Sequence, residues 1–223
     1  MNLNIKSFSE YRRYLLCSIS LTILNNDLYA DTVLDTKYDY QILSNKMNIQ
    51  NYKLPKIQFD NHQESKFVFE YKQLRNNINL IQINNENENF ITGFLKIVGL
   101  SEINDSEEIA NIYKINQDAV HIILVLKNKF NRIRPSYINS DIKPVISVPQ
   151  NSSYPGGHAA QAYLIALYLS KKNPKYTEQL FQYVFQIGIN REIAGLHYPS
   201  DTSAGYILAK NIYLDLEKNL KGA

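Results

Sequence analysis

Three short stretches of the chain carry side chains whose types and spacing suit chemistry on an anion. The first runs from Asn190 to Asp201 and holds Arg191, His197 and Asp201 within twelve residues. His197 and Asp201 are four apart, so a helix or a tight turn lets the carboxylate reach the imidazole. A carboxylate on one ring nitrogen fixes the tautomer and leaves the other nitrogen free to attack an electrophile. Arg191 adds a planar fork of donors matched to phosphate-like oxygens. The second stretch, Lys127 to Pro135, places Lys127 and Arg134 near a helix end that Pro135 stops. The third, Tyr154-Pro155-Gly156-Gly157-His158, leads straight into an apolar helix. Glycines at a helix start leave backbone N–H groups bare toward whatever lies there, and an anion suits them.

In chain order the stretches read Lys-x6-Arg-Pro, Pro-Gly-Gly-His and Asn-Arg-x5-His-x3-Asp. This resembles the tripartite signature of the type 2 phosphatidic acid phosphatase superfamily: Lys-x6-Arg-Pro, Pro-Ser-Gly-His and Ser-Arg-x5-His-x3-Asp. That superfamily includes bacterial class A non-specific acid phosphatases, lipid phosphatases, glucose-6-phosphatase and vanadium haloperoxidases. Nine of the eleven fixed positions match: Lys127, Arg134, Pro135, Pro155, Gly157, His158, Arg191, His197 and Asp201. Gly156 and Asn190 stand where the pattern has serines. Loss of a serine hydroxyl that donates to a charged group is worth roughly 1.5–3 kcal/mol.

The resemblance implies an all-α, bundle-like domain and a metal-independent acid phosphatase acting on phosphomonoesters, most like the bacterial acid phosphatases. His197, oriented by Asp201, would attack phosphorus to give a phosphohistidine. Lys127, Arg134, Arg191 and the Gly156–Gly157 turn would hold the non-bridging oxygens, and His158 would protonate the leaving alkoxide. No cofactor or metal is called for, and an acidic-to-neutral optimum follows from a protonated His158. Two alternatives stand beside this. One is a vanadium-dependent haloperoxidase, with vanadate as cofactor rather than inhibitor in the phosphate pocket. The other is a non-catalytic phosphate-binding member. The expected partner is a small phosphomonoester or a lipid phosphate, and an oligomer is left open.

The elements that must position these residues read as helices. Residues 31–62 look like an irregular N-terminal arm over a helical body spanning 63–223. Phe67, Val68, Tyr71 and Leu74 recur at helical spacing, 76–89 reads as a polar connection, and 90–100 as an apolar helix. Asp105 with Glu108 gives a capping-box start for a helix to Phe130, whose buried face is Ile109, Ile112, Ile115, Ala119, Ile122, Ile123 and Leu126. A loop spans 136–153, and helices follow Gly157, over 176–189 and over 203–220. Lys129 and Arg132 read as an ordinary basic helix end, His121 as a core or boundary histidine, His62 as a loop residue, and Tyr154 as a candidate substrate contact.

Residues 1–30 read as a signal peptide: Lys6, Arg12 and Arg13 precede an apolar run from Tyr14 to Leu24, with a cut after Ala30. The protein is therefore expected to be exported, to the periplasm or beyond, or held by an uncleaved N-terminal anchor. The only cysteine, Cys17, excludes an internal disulfide. A net charge of +3 gives no footprint for nucleic acid, and no apolar stretch reaches the roughly 18 residues of a membrane span.

Overall fold

A long apolar-faced helix in the middle of the chain organises the rest. In the computed structural model, which describes residues 38–44 and 48–222, eight α-helices and no strand occur among the described residues. They are α1 (Asn61–Tyr71), α2 (Asn77–Asn89), α3 (Ile91–Val98), α4 (Ser106–Phe130), α5 (Pro135–Ile138), α6 (Gly157–Lys172), α7 (Thr177–Ile193) and α8 (Pro199–Gly222). Single 3-10 turns lie at Ile49–Asn51, Lys72–Leu74, Ser140–Ile142 and Pro174–Tyr176. Residues 1–30, read from the sequence as a signal peptide, fall outside the described residues.

All seven residues of the apolar stripe expected on α4 are buried. They pack with Ala160, Leu164 and Leu169 of α6, Leu180, Val184 and Ile187 of α7, and Leu208, Ile212 and Leu216 of α8 in one core. Each such side chain taken fully out of water contributes about 1.5–3 kcal/mol before entropy is counted. Helix α6 lies at the centre, packed on α4, α7 and most extensively on α8.

The α6–α8 crossing is close because two glycines meet there. A Cβ on Gly205 would lie 2.5 Å from the Gly156 carbonyl oxygen, and one on Gly156 would lie 2.8 Å from the Asp201 carbonyl oxygen. Both contacts are with backbone, which has little room to yield.

Four local readings are corrected. Residues 77–89 form a helix rather than a connection, opened by a capping box in which Asn76 and Asn79 bond each other's backbone N–H. Its only buried residues are Ile83 and Glu86, so it carries almost no apolar stripe to read. Asp105 does not cap α4 with its side chain; Oδ2 accepts from Ser101 N at 2.9 Å instead. The segment after Arg134 is a short helix and a 3-10 turn before it becomes irregular. Helix α8 begins at Pro199, four residues early, and so includes Asp201.

The described residues before α1 are irregular apart from the 3-10 turn at Ile49–Asn51. They are tied to α4 by the fully buried Asp118, whose carboxylate accepts from the backbone N–H of Gln41, Ile42 and Leu43 at 2.9–3.0 Å. His121, one turn on, stacks on Tyr38 with ring centroids 4.1 Å apart.

Candidate active site

The turn between α7 and α8 sets the geometry. Helix α7 ends in a Schellman motif: Gly195 N bonds Glu192 O at 2.9 Å and Leu196 N bonds Arg191 O at 3.1 Å. Gly195 has φ +83°, a conformation that strains any residue with a Cβ, and a Cβ there would also strike Ile142. The chain thus reverses within a few residues, bringing Arg191 on the last turn of α7 near His197.

His197 is 5% exposed, and its Nδ1 lies 3.3 Å from Asp201 Oδ2. The same Oδ2 accepts from Tyr198 N at 2.9 Å, which seats the carboxylate in the first turn of α8, where the dipole favours negative charge. Burial opposes the ionised Asp201, but His197 and Arg132 outweigh it and hold the carboxyl down at about 2. The arrangement sets a protonated Nδ1 toward Asp201 and leaves Nε2 as the nitrogen with an available lone pair. Burial, with Lys127 and Arg134 beside it, lowers the imidazole to about 4 against the pull of Asp201, so His197 is neutral over most of the acid range.

Three cations gather around this histidine and the neighbouring His158. Lys127, on the last turn of α4, is buried; its Nζ donates to Ser152 O at 2.5 Å and Ser153 O at 3.1 Å. Burial first and Arg134 second bring its ammonium down to about 7. Arg134 donates to Leu196 O at 3.0 Å, next to His197, and to Asn151 O and Oδ1. Arg191 is 1% exposed and donates to Ile83 O at 2.8 Å and Asn87 Oδ1 at 3.3 Å, while its buried Nε has no protein partner. A buried guanidinium N–H left without an acceptor is costly, and a phosphate oxygen would satisfy it.

His158 stands at the second position of α6, half-buried, with its ring 5.6 Å from that of Phe90. Burial, then Arg191, His197, Lys127 and Arg134, push it down to about 3. Lys127 and Arg134 stand beside His197 as well, and Arg191 joins them at His158, so the two histidines face one positive hollow. No side chain caps the start of α6. The first-turn N–H of Gly157 therefore points at the same hollow from a helix N-terminus. Gly156 is different: its N–H is spent on Asp201 O at 2.8 Å, so it does not hold phosphate, and its role is the close approach of α8. Tyr154 is also corrected. It is 1% exposed, packs on Phe130 at 4.7 Å and bonds Pro55 O, behind the hollow rather than in it.

Two further residues were not visible as site residues in the sequence. Glu86 of α2 is buried and accepts from Asn190 Nδ2 with both oxygens at 2.9–3.0 Å, with Arg191 at 3.6 Å. Burial raises its carboxyl, against the pull of Asn190 and Arg191. Asn190 thus has a carboxylate to satisfy, which a shorter serine side chain reaches less well. Arg132, read as part of a basic helix end, is buried with Asp201 and Glu64. Neither carried a distinguishing signal: Glu86 lies in an asparagine-rich segment of weak periodicity, and Arg132 is one of several cations at a helix end. Among the described residues no group of three His, Cys, Asp or Glu side chains is placed to hold a metal ion.

Comparison with known proteins agrees with the geometry. Residues 113–212 match the model of the PAP2 superfamily. The chain is 33% identical over 97 residues to a non-specific acid phosphatase of Providencia stuartii, covering 42% of this chain and 39% of that one. It is 32% identical over 126 residues to a non-specific acid phosphatase of Salmonella typhimurium, covering 53% and 50%. An acid phosphatase of Zymomonas mobilis is 33% identical over 89 residues, 37% of this chain and 33% of the relative. The chain thus spans half or less of these relatives' length. The fold is shared with a transmembrane PAP2-type phosphatidylglycerolphosphate phosphatase from Bacillus subtilis, at TM-score 0.53 and 17% identity over 73% of this chain and 85% of the other. No described helix here is long and apolar enough to cross a membrane.

Proposed function

Because residues 113–212 match the PAP2 superfamily model, we propose that this chain is a phosphoric monoester hydrolase of the acid phosphatase kind, working through a phosphohistidine on His197. The observation that carries the reading is one imidazole with Asp201 on Nδ1, Lys127 and Arg134 beside it, and Arg191 beside the adjoining His158. Nε2 attacks phosphorus as the ester oxygen departs. The three cations and the N–H of Gly157 hold the non-bridging oxygens, whose charge must be stabilised through an in-line transfer. These cationic side chains supply the charge neutralisation that bound metal ions supply in other phosphatases. His158 gives its proton to the leaving alkoxide and then takes one from the water that releases phosphate.

The pH dependence has a definite sign. Burial first, and then the protein's own cations, keep His158 neutral down to about 3. Its proton therefore arrives with the anion, whose negative charges act in the opposite direction, and a monoester's second ionisation lies near 6. Turnover falls as pH rises above that range. Neither Gly156 nor Asn190 argues for lost activity, since each has a packing or hydrogen-bonding reason for its identity.

The test is hydrolysis of p-nitrophenyl phosphate between pH 4 and 9 with EDTA present, beside His197→Ala. Activity that survives EDTA, declines above about pH 6 and vanishes in the variant is the expected result. A folded protein that binds orthovanadate yet turns nothing over would overturn the proposal.

A further inference from the structure

Asp201 has two oxygens, and only one faces His197. The other, Oδ1, accepts from Arg132 NH1 at 2.7 Å. Arg132 is held on every side. Its Nε donates to Asn61 Oδ1 at 2.9 Å, its NH1 also to Ser200 Oγ at 2.7 Å, its NH2 to Glu64 Oε2 at 2.5 Å, and its guanidinium lies 4.0 Å over the Tyr198 ring. Glu64 in turn accepts from Ser200 N at 3.0 Å and Ser200 Oγ at 2.6 Å, so it caps the first turn of α8 from α1. Both charged partners are nearly inaccessible, with side chains 1% and 4% exposed.

None of these atoms is left over for a phosphate. The fork of Arg132 is consumed by the protein, and what it fixes is the rotation of one carboxylate. A carboxylate held by one oxygen alone is free to turn about its Cβ–Cγ bond, and with it the tautomer and tilt of the imidazole it orients.

We propose that Arg132, clamped by Glu64, is the positioning residue of the nucleophile: it locks Asp201 so that Oδ2 stays on His197 Nδ1 and Nε2 stays unprotonated and aimed. This rests on His197 being the nucleophile. Arg132 acts only through Asp201, and Glu64 acts only through Arg132. The groups acting on His197 are Asp201 from α8, Lys127 from α4, His158 from α6 and Arg134 from the connection before α5, while Arg191 from α7 acts on His158. Arg132 and Glu64 reach it only through the Asp201 carboxylate.

Two readouts test this. The first is the ring 15N shifts of His197 by NMR near pH 6, which needs no turnover and so stands apart from the phosphatase reading. Wild type shows Nδ1 protonated and Nε2 bare, Arg132→Lys keeps that pattern, and Arg132→Met gives a mixture of tautomers. The second is a kinetic cycle with Asp201→Asn. Arg132→Met alone is expected to lower kcat roughly 10²-fold, as a small misplacement of a reacting group does, with KM little changed. In the Asp201→Asn background it should then cost nothing more. Should Arg132→Met fail to fold, Glu64→Gln takes its place with a smaller effect of the same kind. Unchanged His197 shifts in whichever variant folds, or full additivity of its effect with Asp201→Asn, would overturn the proposal. An inactive wild type with the predicted shifts would reject the phosphatase reading and leave the positioning role standing.

Discussion

Two buried arginine–carboxylate pairs flank the hollow, and they are built to opposite specifications. On the α1 side, Arg132 bonds Glu64 at 2.5 Å and Asp201 at 2.7 Å, with its remaining donors on Asn61 and Ser200. On the α2 side, Arg191 stands 3.6 Å from Glu86, whose oxygens are already taken by Asn190, and keeps a buried Nε with no partner. Charge alone does not distinguish a structural arginine from a substrate-binding one. What distinguishes them is how many donors the protein has already used. A saturated guanidinium is a fastener, while one held loosely by a preoccupied carboxylate keeps its attraction for an incoming anion.

This contrast breaks in an ordered way. Arg132→Met should have the largest effect on stability, about 3–5 kcal/mol, because two carboxylates are left buried without their cation; urea unfolding measures it. Arg191→Met should instead fall mainly on catalysis, lowering kcat about 10²–10³-fold, as losing one transition-state donor does, with a smaller shift in the unfolding midpoint. If the two variants exchanged these signatures, the assignment of roles would be reversed.

Gly156→Ser comes next. It restores the serine of the superfamily pattern, yet its Cβ meets the backbone of Asp201, so it should cost about 1–3 kcal/mol of stability and give no gain in turnover. A more active and equally stable Gly156→Ser would show that α8 yields there.

The smallest effect is a fraction of a proton. Lys127 is held at about 7 by burial and by Arg134, against 10.5 ordinarily. A base depressed in the folded state makes the protein lose stability as pH falls from its unfolded value toward 7, with little further loss below. A bound anion reverses the cause, so phosphate binding near pH 8 should take up protons. Calorimetry in buffers of different ionisation heat reads this directly, and Lys127→Arg should reduce it to the share taken by His158.

Much of the site was legible because its residues sit at fixed spacing along continuous segments: Lys127 to Arg134, Pro155 to His158, Arg191 to Asp201. The long helix was legible for the same reason, its stripe repeating over about five turns. What escaped was whatever depends on pairing across the chain. Glu86 lies 104 residues from Asn190 and Glu64 lies 68 from Arg132, and no local period announces either partner. Helix α2 was hidden by composition: asparagines share its solvent face with the exposed Ile78 and Ile81, and only Ile83 and Glu86 are fully buried. Gly156 was misread because a glycine in an anion-binding turn and a glycine at a tight helix crossing look alike until the second helix is placed.

The grip of Asp118 on Gln41, Ile42 and Leu43 extends beyond packing. Three consecutive amide protons of an otherwise irregular segment are shielded by one carboxylate deep in α4. Their exchange with solvent should therefore be slow, and should report on the integrity of the helix that carries Lys127. Seen from the solvent side, this arm is a gauge: when it frays, α4 has already begun to loosen.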